Sequence, residues 1–115
     1  MILGIGTDIV EIQRVRKVIS DAFLRKVLSK EEIEKTISMS EERKAQFTAG
    51  RFAAKEAIIK ALSDFELPEM SDLNIVNNEK GKPEISYKNY KISVSISHEK
   101  EYAIGFAILE GDEGE

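Results

Sequence analysis

Hydrophobic and polar positions alternate with a period of two in the second half of the chain. From residue 92 to residue 97, isoleucine or valine alternates with serine, which predicts a β-strand with one buried face. The turn sequence NNEKGKP (77–83) and the segment His98–Glu101 separate this strand from its neighbours. Three further strands are predicted at Leu73–Val76, Glu84–Tyr87 and Tyr102–Leu109.

The first half begins with an apolar strand, ILGIGTDI, which is predicted to end near Asp8. The two glycines in this strand indicate a bend or the close approach of another backbone. Asp8 and Glu11 have the spacing of a capping box, so a helix is predicted from about Ile9 to Ser20.

Three more helices follow from their caps and patterns. A short helix or turn around Ala22–Leu28 precedes a second capping box at Ser29 and Glu32, which begins another short helix. Ser40 is the predicted N-cap of a long, alanine-rich helix of roughly residues 41–63.

The order of elements is one strand, then helices, then strands, which predicts an α+β fold with a mainly antiparallel sheet packed on the long helix. The length of 115 residues suits one domain. We place that domain at residues 1–110 and expect residues 111–115 to be an acidic, frayed tail.

Composition excludes several classes of protein. The net charge of −4 argues against a general nucleic-acid binder, and the lack of cysteine excludes disulfides and thiolate metal sites. No segment approaches the ~20 consecutive apolar residues of a membrane span. The N-terminus has no basic region of the kind that begins a signal peptide, so we expect a cytoplasmic protein with no membrane partner.

Positive charge is concentrated in residues 14–30, which carry six basic residues and one acidic residue, a local charge of +5. A solvated helix face would explain this pattern. A docking surface for an acidic partner would also explain it. The basic residues are Arg14, Arg16, Lys17, Arg25, Lys26 and Lys30.

The long helix carries the residues with the clearest chemical potential. Glu56 and Lys60 share one face, and a pair with this spacing is typically a weak surface ion pair. The functional interpretation is a carboxylate that holds Mg²⁺ beside cations that hold phosphate, with Arg51 and Lys55 in a neighbouring row. Asp8 is the natural second carboxylate, although its spacing also fits an N-cap.

Other catalytic patterns have little support. The single histidine, His98, is predicted to lie at a hairpin tip, where it could be structural or could donate to a phosphate. Neither a GxxxxGK[ST] loop nor a GxGxxG motif is present, which argues against P-loop and Rossmann sites.

Four segments together resemble the holo-[acyl-carrier-protein] synthase family, the small 4'-phosphopantetheinyl transferases. They are GIGTDIVEIQR (4–14), AGRFAAKEAIIKAL (49–62), GKP (81–83) and SVSISH (93–98), and the last is followed by EYAIGFAILE. The segments occur in the family's order and at about its spacing, and they cover nearly the whole chain.

This resemblance implies transfer of phosphopantetheine from coenzyme A to a serine of apo acyl carrier protein, for fatty acid biosynthesis. Asp8 and Glu56 match the magnesium ligands, Lys60 matches the lysine near the pyrophosphate, and Arg51 and Lys55 would contact phosphate. The nucleotide end of coenzyme A would be contacted by Gly81, Lys82, Pro83, Ser97 and His98.

The resemblance also implies partners. The acidic carrier protein would dock on Arg14, with Arg16, Lys17 and Arg25 as further candidates. Similar enzymes of this length are commonly homotrimers with active sites between subunits.

Two departures from the family pattern are present. Relatives commonly have a glycine loop of the form KALGTG after the long helix, whereas this chain reads KALSDFELPEM, and many have histidine where Ser93 stands. Two alternative functions remain: a transferase acting on a broader range of carriers, and a non-enzymatic module that binds acidic proteins through the first helix.

Overall fold

The structure, a computed structural model, describes residues 1–111. Strand β1 (Ile2–Glu11) is followed by the short helices α1 (Ile12–Val18), α2 (Asp21–Val27) and α3 (Lys30–Thr36), and then by the long helix α4 (Glu41–Leu62). A 3₁₀ turn at Met70–Asp72 leads to the strands β2 (Ile75–Asn77), β3 (Pro83–Ile85), β4 (Lys91–His98) and β5 (Tyr102–Glu110). Within these residues, no helix combines the length and the apolar character that crossing a membrane requires.

The main sheet is antiparallel, with the strand order β1-β5-β4, and its inner face packs on α4. Strands β2 and β3 form a separate antiparallel pair. An isolated bridge between Tyr87 and Tyr90 joins β3 to β4 through a tight turn. This architecture confirms the predicted α+β fold with an antiparallel sheet and one long helix.

Small residues allow α4 to lie very close to the sheet. A Cβ atom added to Gly6 of β1 would lie 1.8 Å from the carbonyl oxygen of Ala57, and one added to Gly105 of β5 would lie 2.4 Å from the Ala53 carbonyl. The helix alanines at these crossings are fully buried. The glycines of β1 therefore reflect the close backbone approach that the sequence indicated.

The predicted start of the first helix is wrong. Strand β1 continues past Asp8 to Glu11, which pairs with Tyr102 of β5, and α1 begins only at Ile12. The backbone N–H of Ile12 donates to the carbonyl of Glu101 at 2.9 Å. Pairing with β5 therefore overrides the local capping pattern, and the Asp8 side chain is not a helix cap.

The other predicted caps are confirmed. Ser29 and Glu32 form a capping box at the start of α3, and the Ser40 side chain accepts from the backbone N–H of Arg43 at the start of α4. Of the predicted tail, Gly111 pairs with the backbone of Met1, and residues 112–115 lie outside the described part of the chain.

Candidate functional site

Asp8, Glu56 and Lys60 meet where α4 crosses the β1 edge of the sheet. The Lys60 ammonium donates to the carbonyl of Thr7 at 2.9 Å and lies 3.5 Å from Asp8 Oδ1. Because Asp8 faces α4 from an edge strand, its carboxylate reaches the helix face that carries Glu56 and Lys60. The structure thus brings together three of the five residues that the sequence analysis assigned to metal and phosphate chemistry.

The electrostatics of this cluster favour a cation. Partial burial, and next the charge of Asp8, raise the pKa of Glu56, while Lys60 opposes the shift. Two neighbouring carboxylates with one lysine carry an excess negative charge that would attract a divalent cation. In the described part of the chain, no three His, Asp or Glu side chains form a complete metal site. Two carboxylates do suit Mg²⁺, which keeps several waters and also binds substrate phosphates.

A cavity of about 440 Å³ adjoins the two carboxylates and lies between β1, α1, α2 and α4. Apolar side chains form much of its wall, including Phe23 and Phe52, whose rings meet edge to face at 6.1 Å between centroids. Arg14 of α1 also lines the cavity. The site therefore combines an acidic end with an apolar wall and one cation, which suits a flexible ligand with polar groups.

Arg51 and Lys55 are not part of this cluster. Lys55 is completely buried, and its ammonium donates to the Val27 carbonyl and to Glu32 Oε1. Arg51 is 5% exposed, and its Nε lies 3.4 Å from Glu32 Oε2. These contacts correct the expectation that the two cations meet phosphate, because both side chains point into the interior and are paired there.

The residues predicted to contact the nucleotide lie on the other side of the molecule from Asp8. Ser97 and His98 are on β4, which is the edge strand opposite β1. Ser97 is in register with Ile104 on the outer face of the sheet, whereas His98 is in register with Ala103 on the inner face. Within one chain, the structure therefore does not bring these two residues to the carboxylate cluster.

Gly81 and Lys82 lie in the turn that precedes β3, Pro83 is the first residue of β3, and this strand packs on the same side of the molecule as β4. Gly81 has a φ of 82°, the left-handed conformation that glycine adopts most readily. The Asn78 side chain accepts from the backbone N–H groups of Lys80 and Lys82 at 2.9 and 3.0 Å, so the turn is internally ordered.

The segment after α4, which lacks the family's glycines, packs against the β3–β4 turn. The Glu66 carboxylate accepts from the Tyr87 hydroxyl and the Lys88 ammonium, both at 2.8 Å. Side chains, not glycine backbone, thus hold this segment in place.

The sequence predicted Glu32 only as a capping residue and did not reveal its role in the core. Glu32 is 1% exposed and is the common partner of Arg51 and Lys55. A capping box accounts fully for a glutamate at that spacing, so the pattern gives no signal of its tertiary role.

Comparisons with known proteins agree on one family. The family model described as the 4'-phosphopantetheinyl transferase superfamily matches residues 4–107. The holo-[acyl-carrier-protein] synthase of Staphylococcus carnosus (strain TM300) is 44% identical over 115 residues, covering 96% of this chain and 98% of that protein. The holo-[acyl-carrier-protein] synthase of Geobacillus sp. (strain WCH70) is 41% identical over 116 residues, with the same coverage of both chains.

Solved structures are similar over the same length. The holo-(acyl-carrier-protein) synthase of Bacillus anthracis str. Ames, in complex with CoA (3',5'-ADP), superposes with a TM-score of 0.88 at 35% identity, covering 97% of this chain and 99% of that one. The Helicobacter pylori enzyme in complex with coenzyme A gives 0.77 at 32% identity, covering 92% and 99%.

Proposed function

The chain belongs to the 4'-phosphopantetheinyl transferase superfamily, and we propose that it is a holo-[acyl-carrier-protein] synthase. It transfers 4'-phosphopantetheine from coenzyme A to a serine of an apo acyl carrier protein, and it serves fatty acid biosynthesis in the cytoplasm. The meeting of Asp8, Glu56 and Lys60 beside the 440 Å³ cavity carries the proposal. Relatives at 41–44% identity that bear this name support it.

The reaction is a phosphoryl transfer. The serine hydroxyl oxygen of the carrier attacks the phosphorus that bears pantetheine, the bond to the nucleotide breaks, and adenosine 3',5'-bisphosphate leaves while the serine proton passes to a base. Asp8 and Glu56 would hold Mg²⁺, which would offset the charge of the pyrophosphate.

The Thr7 carbonyl and Asp8 orient the Lys60 ammonium, which would contact the pyrophosphate of bound coenzyme A. Such orientation is most of what a phosphoryl transfer requires from a protein, because little covalent chemistry falls to the side chains. The base is one of the two carboxylates or an ordered water.

A direct test is the mass of purified apo acyl carrier protein incubated with the enzyme, coenzyme A and Mg²⁺. We expect the mass to rise by one phosphopantetheine group, and the rise to require Mg²⁺. A folded protein that produces no such shift would favour the non-enzymatic binding module. A panel of fatty acid, peptide and polyketide carriers would distinguish a dedicated enzyme from a broad one.

The proposal includes a homotrimer. The outer face of the sheet exposes large apolar side chains along β1 and β5, among them Ile5, Ile9, Ile104 and Phe106, which are 40–61% exposed. A contiguous face of this kind is typical of a subunit interface. Sedimentation analysis should give the mass of three chains, and a monomer at micromolar concentration would contradict this assembly.

Arg14 supports the proposed docking of the acidic carrier, because it lines the same cavity as both carboxylates. Arg25 lies on α2, which contributes Phe23 to the cavity wall, and Arg16 is within 3.8 Å of Glu41 on the surface. Lys17 adds to the positive charge of α1. Carrier docked on α1 and α2 would present its serine to the open end of the cavity.

Reversing Arg14 and Arg25 to Glu should raise KM for the carrier by about tenfold at low salt, because complementary charge speeds association. The effect should shrink as salt rises, since screening weakens exposed charges. Lys35→Glu with Lys91→Glu makes the same change in net charge elsewhere and should leave this KM nearly constant. An equal rise in both double variants would contradict docking at α1 and α2.

A further inference from the structure

A buried carboxylate, Glu32, joins three parts of the fold that are distant in sequence. Its Oε1 accepts from the backbone N–H of Ser29 at 2.8 Å and from the Lys55 ammonium. Its Oε2 accepts from the backbone N–H of Ile75 at 3.0 Å and lies 3.4 Å from Arg51 Nε. One side chain thus links the start of α3, the middle of α4 and the first residue of β2.

The charges in this cluster are costly to bury. Burial lowers the pKa of both Lys55 and Arg51, and the charge of Glu32 opposes each shift. A buried ion cluster contributes little net stability compared with well-packed apolar side chains, although removing one member is strongly destabilising. What the cluster supplies is a fixed geometry, because both carboxylate oxygens of Glu32 and the Lys55 ammonium are held by specific partners.

The contacts of this cluster continue into the β2–β3 pair. Arg51 donates to the Ile75 carbonyl at 3.5 Å and to the Asn77 side chain at 3.4 Å. Ile75 is therefore held at its N–H by Glu32 and at its carbonyl by Arg51. Strand β2 pairs only with β3 among the described strands, so these contacts, together with the burial of Leu73 and Ile75 and the hydrogen bond that Ser29 donates to Asn74, set its position relative to α4.

Hydrogen bonds within the turn after β2 fix Lys82 relative to that strand. Asn78 follows β2 directly, and its side chain accepts from the backbone N–H of Lys82 at 3.0 Å. Its backbone N–H also donates to the Lys82 carbonyl at 2.8 Å. A displacement of β2 would therefore displace Lys82.

We propose that Glu32 is a positioning residue that places the turn at Gly81–Pro83 by holding β2 against α4. This inference rests on the proposed function and on the contact between that turn and the nucleotide end of coenzyme A that the family resemblance implies. Glu32 touches no substrate itself, and it acts through Ile75, Arg51 and the turn.

The test is the Glu32→Gln variant, which keeps the shape of the side chain and removes its charge. We expect KM for coenzyme A to rise by about tenfold, within the range by which residues remote from a ligand modulate binding. The kcat and the KM for the carrier should stay within about twofold of the wild-type values. Glu34→Gln, on the exposed face of α3, is the matched control and should change none of these values.

A double-mutant cycle separates positioning from general weakening of the fold. If Glu32 acts through the turn, adding Glu32→Gln to a Lys82→Ala enzyme should raise KM for coenzyme A no further. Additive effects, or an unchanged KM in Glu32→Gln alone, would overturn the inference. Failure of the wild-type enzyme to modify any carrier would instead refute the proposed function.

Should Glu32→Gln fail to fold, Asn77→Ala provides the same test with a smaller disturbance. Asn77 is exposed, and among residues 1–111 its side chain reaches the cluster through Arg51 alone. Its removal should raise KM for coenzyme A by about threefold, within the same range, with the melting temperature unchanged. An unchanged KM in this variant would also overturn the inference.

Discussion

Glu56→Gln should abolish Mg²⁺-dependent transfer and leave the fold intact. The substitution removes one of the two carboxylates that meet at the β1 edge, so the cation that offsets the pyrophosphate would lose a ligand. We expect kcat to fall by about 10²-fold or more, the loss that follows removal of one electrostatic contact to a transition state. The measurement is initial transfer rate as a function of Mg²⁺ concentration.

Although Glu56→Gln should lose activity, its fold should be at least as stable as that of the wild-type protein. Burial and Asp8 raise the pKa of Glu56, so the ionised carboxyl destabilises the fold at pH above that raised pKa. Glutamine removes this charge, and the melting temperature near neutral pH should be equal to or above that of the wild-type protein. Glu42→Gln, in the exposed first turn of α4, should keep full activity. Near-normal turnover in Glu56→Gln would refute the metal-site assignment.

Local patterns in the sequence were enough to predict most of the elements. Ser29 and Ser40 begin helices because their side chains cap the following turn, which is a contact within a few residues. Asp8 has the same pattern but extends a strand, because its partner, Gly105 of β5, is 97 residues away in the chain. Local spacing carries no information about such pairing, so the predicted helix began three residues too early.

The same limit of local patterns applies to the candidate site. Helical periodicity was enough to place Glu56 and Lys60 on one face, and in the structure both lie beside Asp8. The same periodicity placed Arg51 and Lys55 in a neighbouring row but could not show which row faces the interior. That depends on the partner across the core, Glu32, whose role no local pattern reveals.

Both the stability of the fold and the activity should depend strongly on the short distance between α4 and β1. A Cβ atom on Gly6 would lie 1.8 Å from the Ala57 carbonyl oxygen and 3.0 Å from Lys60 Cβ. The first neighbour is backbone and cannot rotate away, so Gly6→Ala must push α4 from the sheet. We expect a loss of about 3 kcal/mol, at the upper end of overpacking costs, which lowers the melting temperature by roughly 10 °C.

Activity should fall as well, because the same displacement carries Glu56 and Lys60 away from Asp8. At a temperature where Gly6→Ala remains folded by circular dichroism, kcat should drop by about tenfold or more, since catalytic groups displaced by about 1 Å lose much of their effect. Gly50→Ala is the matched control, because its Cβ would meet only the Ile96 methyl at 3.1 Å, and alanine favours a helix interior. If the two alanine variants were equally stable and active, close contact between α4 and β1 would not be what assembles the site.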